Sequence, residues 1–177
     1  MKKMLGLVVL VMMLFACENK VSETSSSASD SLAFPMEVTY KGAPSIGNMK
    51  NVQTVMEWNK RLSALNMDLG DLLADTVTWH LSDGTEMTAS RDSTIAVLKG
   101  FVSSINSLKL TYTAAIPVDN AALNDEWVLS WTDETYSFKD GKTDHQFIHE
   151  DYRLVDGKIR EVFQYARKEP GVTPVAK

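Results

Sequence analysis

The sequence predicts an α+β domain in which three helices on the N-terminal side pack against a strongly curved, mostly antiparallel sheet. Three observations predict it. Apolar residues recur at spacings of three and four through the first part of the domain, and alternate with polar residues through the second. Asp140-Gly141 and Asp156-Gly157 stand where two-residue turns with positive φ join long antiparallel strands. Helix stripes and one sheet face must then bury each other, and a long, bent sheet closed at one side by helices leaves a hollow at its open end.

Each element follows from its own pattern. From Asn48 the positions Val52, Val55, Trp58, Leu62 and Leu65 form one helix face. Residues 69–74 can add a short second helix. Residues 76–81 switch to β-branched and aromatic side chains and are closed by Ser82, Asp83 and Gly84, which reads as a strand. Ser90 is a good N-cap for a third helix carrying Ile95, Leu98, Val102 and Ile105, ending near Asn106 and Ser107. Four strands follow. The first alternates through Leu108, Leu110, Tyr112, Ala114 and Ile116, the second through Trp127, Leu129 and Trp131, and the two Asp-Gly turns mark the others.

Composition narrows the function classes. The chain has 177 residues, 44% of them apolar, with 18 basic and 23 acidic side chains for a net charge of −5. It can bury one core, and it has no basic stripe to neutralise phosphates, so nucleic acid is not an expected partner. A single cysteine can form neither an internal disulfide nor a CxxC site. Residues 1–16 open with Lys2 and Lys3 and continue as an unbroken apolar run from Leu5 to Ala16, which reads as a signal peptide. Those twelve apolar residues span about 18 Å as a helix, against a hydrocarbon layer of roughly 30 Å, so a permanent membrane span is the weaker reading.

Leu14, Phe15, Ala16 and Cys17 resemble the lipobox of bacterial lipoproteins, in which the cysteine is diacylated on sulfur and becomes the new, acylated N-terminus. The resemblance implies a lipid anchor at Cys17 and a place in the cell envelope, on the periplasmic or outer-membrane side. Segment 17–46, with the run ENKVSETSSSASDS, reads as the lipidated cysteine followed by a flexible linker, within which residues 34–40 could form an edge strand. The domain then covers 47–168, and 169–177, with two prolines and no pattern, is a disordered tail.

The element order, with A-D-T-V-T-W over 74–79 and Y-R-L-V-D-G-K-I over 152–159, resembles the SnoaL-like branch of the nuclear transport factor 2 superfamily over about residues 48–167. That resemblance implies a cone-like α+β barrel. It also implies a range of activities, since members include steroid isomerases, polyketide cyclases, epoxide hydrolases, dehydratases and non-catalytic binding domains. An isomerase-like site needs an aspartate base, a tyrosine and a protonated acid. The matched positions carry Leu81 for the base, with Asp83 two residues on, Lys60 near the tyrosine, and Glu150 for the acid. The histidine and aspartate that cyclase-like members place on the last strand are matched by Val162 and Gln164.

The register implied by the resemblance turns Trp79, Leu81, Ile148, Glu150, Tyr152, Leu154, Val162 and Gln164 into the hollow, with Trp58 from the first helix. This lining suits an amphiphilic small molecule. Trp58, Trp79, Trp127 and Trp131 also fit core or dimer-face positions. Glu150 is the candidate acid/base, because a carboxylate beside aromatic rings should hold its proton to higher pH; an exposed strand carboxylate is the alternative. No metal or cofactor is expected. His145 and His149 stand about 13 Å apart along a strand, His80 lies on another strand, and no phosphate-binding or metalloprotease motif occurs.

These readings favour a lipid-anchored envelope protein whose domain binds a small, largely apolar ligand or a partner without catalysis. The alternative is a cofactor-free lyase, isomerase or hydrolase using Glu150, with Gln164 orienting it. A third reading makes the outer sheet face a homodimer interface.

Overall fold

The computed structural model describes residues 44–121 and 123–168. The segment read as a signal peptide, 1–16, with Cys17, the strand expected over 34–40 and the tail expected over 169–177, lies outside the described residues.

Strand β1, Ser45–Ile46, pairs with Val118 and Asp119, so the sheet reaches back into the stretch read as linker. Gly47 follows because nothing larger fits: a Cβ there would lie 2.3 Å from Asp119 Oδ1 and 3.0 Å from the Val118 nitrogen. Helix α1, Met49–Ser63, starts at Asn48, whose side chain accepts from the Lys50 nitrogen at 3.0 Å. It buries Val52, Val55 and Trp58 as its periodicity predicts. The helix closes with Leu65 N–H donating to the Leu62 carbonyl and Asn66 N–H to the Arg61 carbonyl. That leaves Leu65 at φ 55, past the helix end rather than on its face.

The expected second helix is absent, so two helices, not three, stand among the described residues. Its segment makes one turn, with Leu72 N–H donating to the Leu69 carbonyl, and enters the next strand at Leu73. Leu69, Leu72 and Leu73 are all buried, at the i, i+3, i+4 spacing that one helix face would also bury, so the periodicity of so short a segment does not distinguish a helix from a turn leading into a strand. Arg61 also holds Asp71 from outside, at 2.6 Å.

Strand β2, Leu73–His80, is followed by β3, Glu86–Ser90, a strand that the sequence pattern does not announce. β3 is an edge strand whose place is set by backbone pairing with β2, Trp79 opposite Met87, more than by apolar content. Helix α2, Arg91–Val102, is capped by Ser90, which accepts from the Ser93 nitrogen at 3.2 Å. It stops earlier than its periodicity predicts, and Ile105 is the first residue of β4, Ile105–Asn120. β5 is Asp125–Phe138, β6 Thr143–Val155 and β7 Lys158–Lys168. Asp156 and Gly157 form the expected two-residue turn, both with positive φ, whereas residues 139–142 make a longer connection with only Gly141 in that region.

The strands form one curled sheet in the order β1-β4-β5-β6-β7-β2-β3, antiparallel except where β2 meets β7. Strands of this length cannot stay flat against two helices, and bulges bend them. The bulge between Tyr112 and Ala114 has a second effect: it shifts the pairing by one residue, so Ala115 turns inward and Ile116 turns out, 42% exposed. The alternation predicted through Leu108, Leu110, Tyr112, Ala114 and Ile116 therefore breaks in the middle. The core joins α1 to the inner face of the sheet through Val55, Trp58, Val77, Val128, Tyr152, Leu154, Ile159 and Val162. Among the described residues no helix is long and apolar enough to cross a membrane.

Candidate functional site

Beyond that core the sheet and α2 enclose a cavity of about 400 Å³. Its floor is Trp58, Asn59 and Leu62 from α1. One wall is Trp79, Leu81 and Met87 from β2, β3 and the connection between them, and α2 covers it with Thr94, Leu98 and Phe101. The opposite wall is the concave face of β4, β5, β6 and β7, where Leu108, Leu110, Ile148 and Gln164 surround two glutamates. Val97 and Phe101, 54% and 44% exposed, mark the mouth with Asp144.

The two glutamates carry the chemistry. Glu150 is 6% exposed; Tyr152 donates its hydroxyl proton to Oε2, and Gln164 Nε2 donates to Oε1 at 3.0 Å. Burial pushes Glu150 up to about 7, with the neighbouring Glu134 adding to the rise and the Tyr152 and Gln164 hydrogen bonds opposing it. Glu134 is 5% exposed and has the same arrangement: Tyr136 donates its hydroxyl proton to one oxygen, and Thr132 Oγ1 donates to the other at 2.9 Å. Burial raises its pKa too.

The two acids come from one local pattern, Glu-x-Tyr, on adjacent antiparallel strands. Period two puts the tyrosine on the same face as its glutamate. The β5–β6 register places Ser130 opposite Glu150, Thr132 opposite Ile148 and Glu134 opposite Gln146. The patterns therefore run in opposite directions, with the glutamates facing across the Thr132–Ile148 level and the tyrosines outside them. Tyr152 is also approached by Asn59 Nδ2, which donates to Tyr112 at 2.7 Å, so α1 anchors this network.

Of the residues singled out by sequence, Trp58, Trp79, Leu81, Ile148, Glu150 and Gln164 line the cavity. Tyr152, Leu154 and Val162 share their inward phase but lie deeper, at 0%, 2% and 0% exposure, in the solid part of the core under α1. Tyr152 still reaches the cavity chemistry through Glu150. Sequence reasoning missed Glu134, Tyr136 and the contribution of α2. The repeat of Glu-x-Tyr at 134–136 and 150–152 was the available signal. Trp127 and Trp131 lie on the outer face. The histidines are dispersed: His80 pairs with Glu161 at 3.0 Å, His145 with Asp133 at 2.8 Å and His149 with Asp151 at 2.8 Å.

No family model matches the chain, and no curated protein does. Solved structures do. An LEH-like epoxide hydrolase from M. tuberculosis aligns with TM-score 0.57 and 12% identity, over 67% of this chain and 84% of that one. A putative ketosteroid isomerase from Kribbella flavida aligns with TM-score 0.55 and 14% identity, over 73% and 87%. A nuclear transport factor 2-like protein of unknown function from Burkholderia pseudomallei aligns with TM-score 0.53 and 17% identity, over 67% and 91%. The chain has the nuclear transport factor 2-like fold.

Within this nuclear transport factor 2-like fold the positions matched to an isomerase site do not assemble one. Leu81 lines the cavity with no acid–base group, Asp83 sits in the exposed turn bonded to the Thr85 nitrogen, and Lys60 lies on the surface paired with Glu57. Glu150 alone of those positions is a titratable group in the cavity.

Proposed function

We propose that the domain binds a small amphiphilic molecule in this cavity, and does so as a lipid-anchored protein of the bacterial cell envelope held by Cys17. One observation supports the ligand most directly: a cavity of about 400 Å³ whose aromatic and aliphatic walls carry two buried, hydrogen-bonded glutamates. A volume of that size lies in the range of small-molecule sites, and apolar walls with a few placed polar groups are their usual composition. Titrating the full chain with a panel of aromatic and aliphatic compounds, read by the fluorescence of Trp58 and Trp79, tests it. Saturable quenching by several apolar compounds is expected; a flat response across the panel removes the reading. The anchor rests on the sequence around Cys17 and is checked separately by mass spectrometry of the protein expressed in a bacterium. Diacylglyceryl-cysteine at the N-terminus is expected, and an unprocessed Met1 overturns it.

A second reading is favoured by one feature. Glu150, pushed up to about 7, stands where a general acid or base works best near neutral pH. On this reading the domain is a cofactor-free lyase, isomerase or hydrolase, with Gln164 and Tyr152 orienting the carboxyl. Turnover abolished by Glu150→Gln, with ligand affinity kept, distinguishes it from simple binding. On the outer face Ile116, Trp131 and Tyr165 are exposed, which supports pairing with a second copy of the domain. Light scattering of the full chain reads this directly, and a strict monomer at high concentration excludes it.

A further inference from the structure

We infer that the cavity selects a cationic amphiphile, an organic ammonium whose charged head sits between the Glu134 and Glu150 carboxyls and whose apolar body lies along Trp58, Trp79 and Ile148. This rests on the ligand-binding reading above and names the chemical class of that ligand.

Charge balance carries the argument. Among the described residues that line the cavity, three are acidic and none is lysine, arginine or histidine. Asp144, at the mouth, is matched by Lys168 at 3.4 Å. Glu134 and Glu150 are not matched: each accepts hydrogen bonds from neutral donors only, Tyr136 and Thr132 for the first, Tyr152 and Gln164 for the second. Two buried carboxyls in one cavity lining, with no cation among its residues, is an arrangement that costs stability. An anionic ligand would add further negative charge beside them. A purely apolar ligand would leave both acids unsolvated against it and gain nothing from them. A monocation in the cavity is attracted by both carboxyls at once, in a low-dielectric space where such attraction is strong.

Geometry agrees. The opposed Glu-x-Tyr pairs set both glutamates on the inner face of adjacent strands, one level either side of the Thr132–Ile148 pair, each bonded by the phenol on its far side. Trp58 and Trp79, with ring centroids 5.7 Å apart and a 36° tilt, present aromatic surface of the kind that receives an ammonium or its alkyl groups. Thr94, 1% exposed and part of the same lining, has a hydroxyl with no hydrogen-bond partner, an acceptor still available to an N–H. The mutual repulsion of the glutamates, which helps hold Glu150 protonated, is relieved when a cation enters.

The test uses the full chain and four probes of matched size: phenethylamine, its trimethylammonium derivative, 2-phenylethanol and 3-phenylpropionate. Binding is measured at pH 8 by calorimetry and tryptophan fluorescence. The ammonium probes are expected to bind at least tenfold tighter than the alcohol, and the carboxylate more weakly than either. In the Glu134→Gln, Glu150→Gln double variant the ammonium preference over the alcohol is expected to fall below about threefold. Glu134→Gln alone, an isosteric change, is expected to lower the preference by a smaller factor and serves if the double variant fails to fold. Equal affinity for amine and alcohol, or a preference that survives the loss of the glutamates, overturns the cation while leaving a ligand cavity. No binding by any probe removes the ligand reading, and the cation with it.

Discussion

Glu150 shows how one residue turns burial into pH dependence. Water that would solvate its charge is excluded, Glu134 faces it from β5, Tyr152 and Gln164 bond it from its own strand and β7, and Asn59 of α1 steadies Tyr152. The net effect is a pKa raised from the ordinary 4.5 to about 7. A raised acid takes up a proton on folding between those two values, so stability is greatest at the acid end of the window and falls as pH rises through it. The loss reaches about 3 kcal/mol. Urea midpoints at pH 5, 6, 7 and 8 are expected to decline for the native chain and to decline much less for Glu150→Gln. Glu134, shifted in the same direction, leaves a residual slope in that variant. Identical slopes in the two proteins would show that Glu150 is ionised throughout. That a carboxylate stands at 150 was legible in the sequence; that Glu134 faces it was not, because their proximity depends on the β5–β6 register.

At the scale of elements, turns and caps carry separable contributions. Asp156 and Gly157, at φ 52 and 72, close the β6–β7 hairpin. A Cβ on Gly157 would meet nothing within 4 Å, so Gly157→Ala reports backbone strain alone. A destabilisation of about 1–2 kcal/mol is expected from holding alanine in the left-handed region. Asn48→Ala, which removes the cap of α1, is expected to cost about 1 kcal/mol. Both are read as shifts of the urea midpoint without a change in slope, and a neutral result for either assigns its role elsewhere. α1, α2 and the four long strands were readable from period and turn chemistry. The second helix, β3 and the phase of Ile116 were not. One short apolar segment fits several structures, an edge strand needs no apolar face, and a bulge leaves no mark on composition.

For the whole molecule the question is what a sheet bent around two helices leaves unfilled. Trp58, 1% exposed, is both the plug of the core and the floor of the cavity. Trp58→Ala is expected to cost about 3–5 kcal/mol, a large share of the roughly 5–15 kcal/mol available to a domain, and to lower the thermal midpoint sharply. A small effect would mean that the cavity, not Trp58, already separates α1 from the sheet. By itself the sequence determined the fold class, the two long amphipathic helices, the antiparallel strands and the turn at Asp156-Gly157, because periodicity and turn chemistry are properties of neighbouring residues. Only the tertiary structure decided which inward residues line the hollow and which fill the core, and that two glutamates sixteen positions apart share its lining with no lysine, arginine or histidine beside them. Depth and charge pairing depend on how far the sheet curls and on which residues its register sets opposite one another, and both arise between strands, not within them.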